Sequence, residues 1–266
     1  MNVPRLSEDE MELRKEIALH VSEGNAILSS IRFSEKLPEG EAEKLKKAFA
    51  HFDEAEELSE EMEVGGAKLS SIDEYAKYKE MYAGLFGKCF EGIPFQVREE
   101  VVNVLDSYVA DSSEKMELLL RVRTLAGRQD VSPKVRLYLK FKLYNDFYEY
   151  LFTRHKILLL TSPDFSKADK DDAVGAFLNR VKTLWAEEKW VPEFSSVWGG
   201  IYRNSAAHFA FKAQDDGILL ERTGTRVPEA ELDRMLNRLI MLSIAFDSLV
   251  YKQKKEVVFE KYGVKL

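Results

Sequence analysis

The sequence predicts an all-α protein: a four-helix bundle with a short hairpin, preceded by an N-terminal helical array. Three observations carry this. Apolar residues recur every three to four positions along most of the chain, the mark of helices that bury one face. Gly and Pro gather at a few breaks between these runs. Charged residues make up 32% of the chain, which suits long helices with solvated outer faces.

The elements follow in order. Residues 7–33 read as a helix opened by the capping box Ser7–Glu10, with Leu13, Ile17, Val21, Leu28 and Ile31 at helical spacing. Pro38 starts a second helix with Leu45, Ala48, Phe49, Phe52, Ala55 and Met62 on one side, and Gly65-Gly66 ends it. A third runs from Ser71 to Phe86, with Gly87, Gly92 and Pro94 marking the break. Two short helices follow near 94–110 and 113–126. The polar, Gly- and Pro-bounded stretch Gly127 to Pro133 is the best boundary. It separates an acidic N-terminal helical domain, 1–126, from a bundle over 134–255, with 256–266 as a basic C-terminal tail.

Within the bundle, 134–160 is a strongly apolar helix. Tyr144, Phe147, Tyr148, Leu151, Phe152 and His155 share its inner face. A polar loop leads to a helix at 171–188, and Pro192 opens another that reaches His208. Residues 210–228 carry the turn Asp216-Gly217 between short alternating segments, a hairpin signal. Pro228 opens the last helix, where Leu232, Met235, Leu239, Leu242, Phe246 and Leu249 form a stripe widened by Leu236 and Ile240. Such a face packs a bundle core, with part of it available to a dimer seam.

Totals narrow the class. The chain has 266 residues, room for one large domain or two modest ones. Its net charge of −7 argues against a protein that coats nucleic acid. Residues 1–63 hold 17 acids against 8 Lys/Arg, while the remainder holds 29 against 31. The acidic excess is therefore N-terminal, and the later part can approach a polyanion. The lone cysteine, Cys89, forms no internal disulfide and fits a reducing cytoplasm. No apolar run spans a membrane, and the first residues lack a signal core.

One stretch offers chemistry: Arg203-Asn204-Ser205-Ala206-Ala207-His208. Asn204 and His208 share a helix face; Arg203 lies about 140° from His208 on an ideal helix and must reach round to join them. A snorkelling arginine and a helix-capping histidine would explain the pair without chemistry. The setting favours chemistry, because the order helix, helix, helix with this motif, hairpin, helix resembles the HEPN superfamily. That family is an all-α bundle whose signature is an arginine, commonly followed by Asn, Asp or His, then a histidine after four to six residues. The resemblance covers slightly under half of the chain. It implies metal-independent RNA cleavage in a homodimer that pools two Arg–His pairs. His208 would move the proton of the ribose 2′-hydroxyl or the leaving oxygen, Arg203 would stabilise the phosphate charge, and Asn204 would orient them. No cofactor or metal is implied. Some members are toxins or defence effectors paired with nucleotidyltransferase antitoxins. In those a tyrosine two positions past the histidine is the modification target, and here that position is Ala210. The alternative reading is a non-catalytic HEPN-like module that binds a nucleotide or a protein.

Rivals are weak. His20, His51 and His155 lie within helical patterns and lack metal-ligand spacing, so they read as packed or surface residues. Gly65-Gly66 and Gly199-Gly200 lack the context of a phosphate loop. Ser195, Ser196 and Ser205 have no separate Asp–His partnership. Nothing assigns a role to residues 1–126, although their acidity makes direct RNA binding the least favoured one.

Overall fold

The computed structural model describes residues 8–34, 36–38, 40–109, 131–165, 174–198 and 210–265. It is a mainly helical protein with two small sheets. Helix α1 spans Glu8–Ser30 and α2 Glu41–Ser59. A two-residue hairpin, β1 (Glu63–Val64) and β2 (Ala67–Lys68), and a 3-10 turn at Leu69–Ser71 lead into α3, Asp73–Phe90. Helix α4 covers 95–109. Then come α5 (Pro133–Leu159), α6 (Val174–Leu184) and α7 (Val191–Val197). Strands β3 (Phe211–Ala213), β4 (Gly217–Leu220) and β5 (Thr225–Pro228) precede α8, Glu229–Tyr262.

Helix α8 has 34 residues and extends about 50 Å. Its expected stripe is fully used within the chain: Leu232, Met235, Leu236, Leu239, Ile240, Leu242, Phe246 and Leu249 are all buried. They pack against Tyr78, Tyr82 and Leu85 of α3, Phe141, Tyr148 and Phe152 of α5, and Phe194 of α7 in one continuous core. A second cluster sits at the far end of α8, where Phe259 meets Ile31, Leu45 and Phe49 beside α1 and α2.

Several boundaries differ from the sequence reading. The hairpin at 210–228 is a three-stranded antiparallel meander, β3-β4-β5. Its third strand was illegible because Val227 is its one buried residue. Gly65-Gly66 does not terminate α2, which stops at Ser59; both glycines take positive φ in the turn between β1 and β2. Helix α3 runs through Gly87 to Phe90, and the chain turns at Gly92, φ 70°. The helix expected at 113–126 and most of the boundary stretch lie outside the described residues.

The division at 127–133 does not divide the core, since α3 shares its buried cluster with α5 and α8. Nor do residues 256–266 behave as a tail. The helix continues to Tyr262, and Phe259 is buried in the second apolar cluster beyond the basic run. The lysines of that run pair with the acidic N-terminal helices. Lys255 meets Asp53 at 2.7 Å, Lys254 meets Asp106 at 3.4 Å and Lys261 meets Glu99 at 2.6 Å. Asp53 and Glu56, within the acidic first 63 residues, thus answer the basic end of α8. Phe259 stacks edge-on against Phe49 with ring centroids 5.1 Å apart. Phe259→Ala is expected to cost about 3–5 kcal/mol in urea unfolding. A cost under 1 kcal/mol would show that this end of α8 is not structural.

Candidate functional site

Arg203, Asn204 and His208 lie outside the described residues. The residues that enter and leave their segment, 199–209, are described and have a definite arrangement. On the entry side, Pro192 near the start of α7 sets the first turn, and Phe194 and Val197 turn inward. Trp198 caps that helix and is fully buried. The Tyr148 hydroxyl donates to the Trp198 carbonyl at 2.7 Å. The Trp198 ring lies edge-on to Tyr148 and Phe152, with centroids 5.0 and 5.5 Å away.

On the exit side the Ala210 carbonyl accepts the Glu221 backbone N–H at 2.9 Å. The next residue, Phe211, packs edge-on against Phe141 at 4.8 Å and stacks near Tyr138 at 5.6 Å. Trp198 and Phe211 therefore both dock on α5, at Tyr148 and Phe141. Seven helical residues separate those two anchors, roughly 10 Å along the axis.

Beneath Trp198 lies a polar cluster that sequence reasoning did not assemble. The His155 ring is fully buried, 4.7 Å from Trp198 and 4.6 Å from Phe246. Its Nδ1–H donates to the Leu151 carbonyl, so Nε2 accepts the Tyr82 hydroxyl proton at 2.9 Å. The neutral imidazole thus satisfies both ring nitrogens in one tautomer. Burial, reinforced by the Arg154 charge, outweighs the bond to Leu151 and pushes the imidazole down to about 3. Burial likewise drives the Tyr82 phenol well up. Arg154, fully buried, pairs with Asp247 of α8 and holds its guanidinium 4.7 Å over the Phe246 ring. This group ties α5 to α8, and burial holds His155 and Tyr82 out of proton transfer near neutral pH.

Asp247 also borders a cavity of about 810 Å³ between α1, α2, α4 and α8. Val21, Leu28, Phe52 and Ile244 give it an apolar wall, and Glu56, Glu99 and Asp106 give it acidic edges.

The sequence placed His155 on the inner face of its helix and read it as packed, which it is. Arg154 carried no signal, because an arginine beside an apolar stripe normally snorkels outward. Tyr82 and Asp247 sit far away in sequence, so their meeting was illegible. Comparison with protein-family models, curated proteins and solved structures found no match.

Two outcomes follow. The unfolded imidazole takes up a proton near its ordinary 6.5, whereas the folded one resists down to about 3. The neutral form therefore supports folding fully above 6.5, and that support drains away as pH falls through this window. The denaturation midpoint is expected to drop between pH 7 and 5, and to drop less in His155→Gln; equal drops would contradict this role. Asp247→Ala removes a carboxylate that pairs with the buried Arg154 and is expected to cost about 3 kcal/mol, the lower end for a buried pair because Asp247 keeps 22% of its side chain exposed. Urea unfolding measures it, and a loss below 1 kcal/mol would contradict it.

Proposed function

We propose that the protein is a HEPN-type endoribonuclease that cleaves RNA without a metal ion, acting through Arg203, Asn204 and His208. The observation that carries this reading is the motif Arg203-Asn204-x-x-x-His208 in its bundle setting. Its segment is bounded by two aromatic anchors, Trp198 and Phe211, that dock on one helix. The order of α5, α6, α7, small sheet and α8 fits the motif reading, although α7 stops at Val197, short of the helix to His208 that the reading expects.

In the proposed reaction His208 takes the proton of the 2′-hydroxyl as that oxygen attacks the adjacent phosphorus. The bond to the leaving 5′ oxygen breaks, and that oxygen gains a proton from a second acid. The guanidinium of Arg203 neutralises charge on the phosphoryl oxygens, and Asn204 holds His208 or a phosphate oxygen. A homodimer supplies the second acid from the partner copy. A role as toxin or defence effector follows from the same reading; Ala210 stands where the modified tyrosine would be, so a nucleotidyltransferase-type antitoxin would have to restrain it by another route than modification there. A second reading, a non-catalytic interaction module, draws on the large acidic-edged cavity.

The test is RNA cleavage in excess EDTA. Wild-type protein is expected to cut, and His208→Ala and Arg203→Ala to lose roughly 100-fold or more. No cleavage by the wild type, or cleavage that survives both substitutions, rejects the ribonuclease reading and leaves the interaction module.

A further inference from the structure

The N-terminal hairpin carries a separate cluster. Helices α1 and α2 run antiparallel and approach closely at Gly24. A Cβ there would lie 2.7 Å from the Phe52 ring and 3.1 Å from the Ala48 carbonyl oxygen, so a larger residue would push the helices apart. This approach sets His20 and Glu23, three apart on one face of α1, opposite His51 on α2. The His20 and His51 Nδ1 atoms are 3.3 Å apart. His51 Nδ1 is 3.2 Å from a Glu23 carboxylate oxygen. One donor atom from each of the three residues lies within 4.8 Å of the other two.

These separations have a chemical meaning. A tetrahedral cation with ligand bonds of about 2.0–2.1 Å has edges of about 3.3–3.4 Å between neighbouring ligands. Both measured contacts fall close to that edge. Three electron-rich atoms thus converge where one positive centre can serve all of them. An imidazolium–carboxylate pair accounts for His51 and Glu23 but gives His20 only a share of the same proton. A cation engages each donor separately. Two imidazoles with one carboxylate select a borderline transition ion and disfavour calcium or magnesium, which take oxygen ligands. His20 and His51 are half-buried and Glu23 is exposed, which leaves a fourth position open to water.

We propose that His20, Glu23 and His51 form a zinc-type divalent metal site that clasps α1 to α2, with water as fourth ligand. On binding, the proton between the two Nδ1 atoms passes to solvent and the nitrogen lone pairs bond to the ion; no electron is transferred. The same two helices supply Ile17, Val21, Phe49 and Phe52 to the cavity wall, so the clasp would fix that wall. Because binding favours the folded hairpin, it raises stability in proportion to RT ln(1 + [metal]/Kd). The site is remote in sequence from the proposed ribonuclease motif, and its test involves no RNA.

The full chain, stripped with EDTA and then dialysed, is titrated with Co²⁺ and competed with Zn²⁺. One saturable equivalent with the visible spectrum of low-coordinate Co²⁺ is expected, together with a higher unfolding temperature in Zn²⁺. His20→Ala and His51→Ala should each weaken binding at least about tenfold, the scale on which even outer partners act. Glu23 keeps 48% of its side chain exposed, so Glu23→Ala leaves packing intact and should weaken binding while preserving the helical circular dichroism. Absence of a saturable equivalent, or binding unchanged by these substitutions, overturns the site.

Discussion

The buried face of α8 runs from Leu232 to Phe259, and so one helix has to satisfy two separate clusters. Its first two-thirds close the main core against α3 and α5; its last turns hold the α1–α2 hairpin. Apolar burial of this kind is non-directional, so the polar contacts set the alignment. Lys140, nearly buried, reaches Glu229 at 2.9 Å and Asp233 at 2.6 Å, fixing the start of α8 on α5. Burial alone would raise the Glu229 carboxyl, but its bonds to Lys140 and Arg136 win and hold it below the usual range. Arg154 and Asp247 fix the middle, and Tyr251, donating to Asp53 at 2.7 Å, fixes the far end.

The residues that flank the candidate segment, Trp198 and Phe211, inherit their positions from this frame. Helix α5 is held on α8, and the same α5 receives Trp198 and Phe211. The aromatic contacts there are dense because Tyr144, Phe147, Tyr148 and Phe152 are core residues, as their spacing implied, and not a base-stacking platform. The His155–Tyr82 hydrogen bond under Trp198 stiffens the floor by satisfying both ring nitrogens in a single tautomer. The proposed metal clasp would act at the opposite end of α8, on the hairpin that α8 also supports.

Legibility followed the range of the interactions. Helical periodicity marked α2, α3, α5 and α8 because each buries one face, and that information is local; in α1 only Gly24 is buried, and Val21 of the expected stripe is exposed. The apolar stripes of α2 and α8 are buried almost residue for residue as read. Turn chemistry located the β3–β4 hairpin through Asp216-Gly217, whereas β5, with one buried residue, left no pattern. Arg154 with Asp247, and His51 with Glu23, pair residues far apart in sequence or on different helices; no spacing rule reports them. The motif Arg203 to His208 was legible as residue types at a spacing. Its placement depends on side chains elsewhere, and those were not.

A single helix shared by both clusters makes the protein one cooperative unit. All three tryptophans, Trp185, Trp190 and Trp198, lie in the main core. Their fluorescence therefore follows that cluster alone, while far-ultraviolet circular dichroism follows every helix, the N-terminal hairpin included. Measured on one urea series, the two signals should give coincident transitions. A loss of helical signal well before the fluorescence change would mean that the α1–α2 hairpin lets go independently, and would contradict the role given to α8.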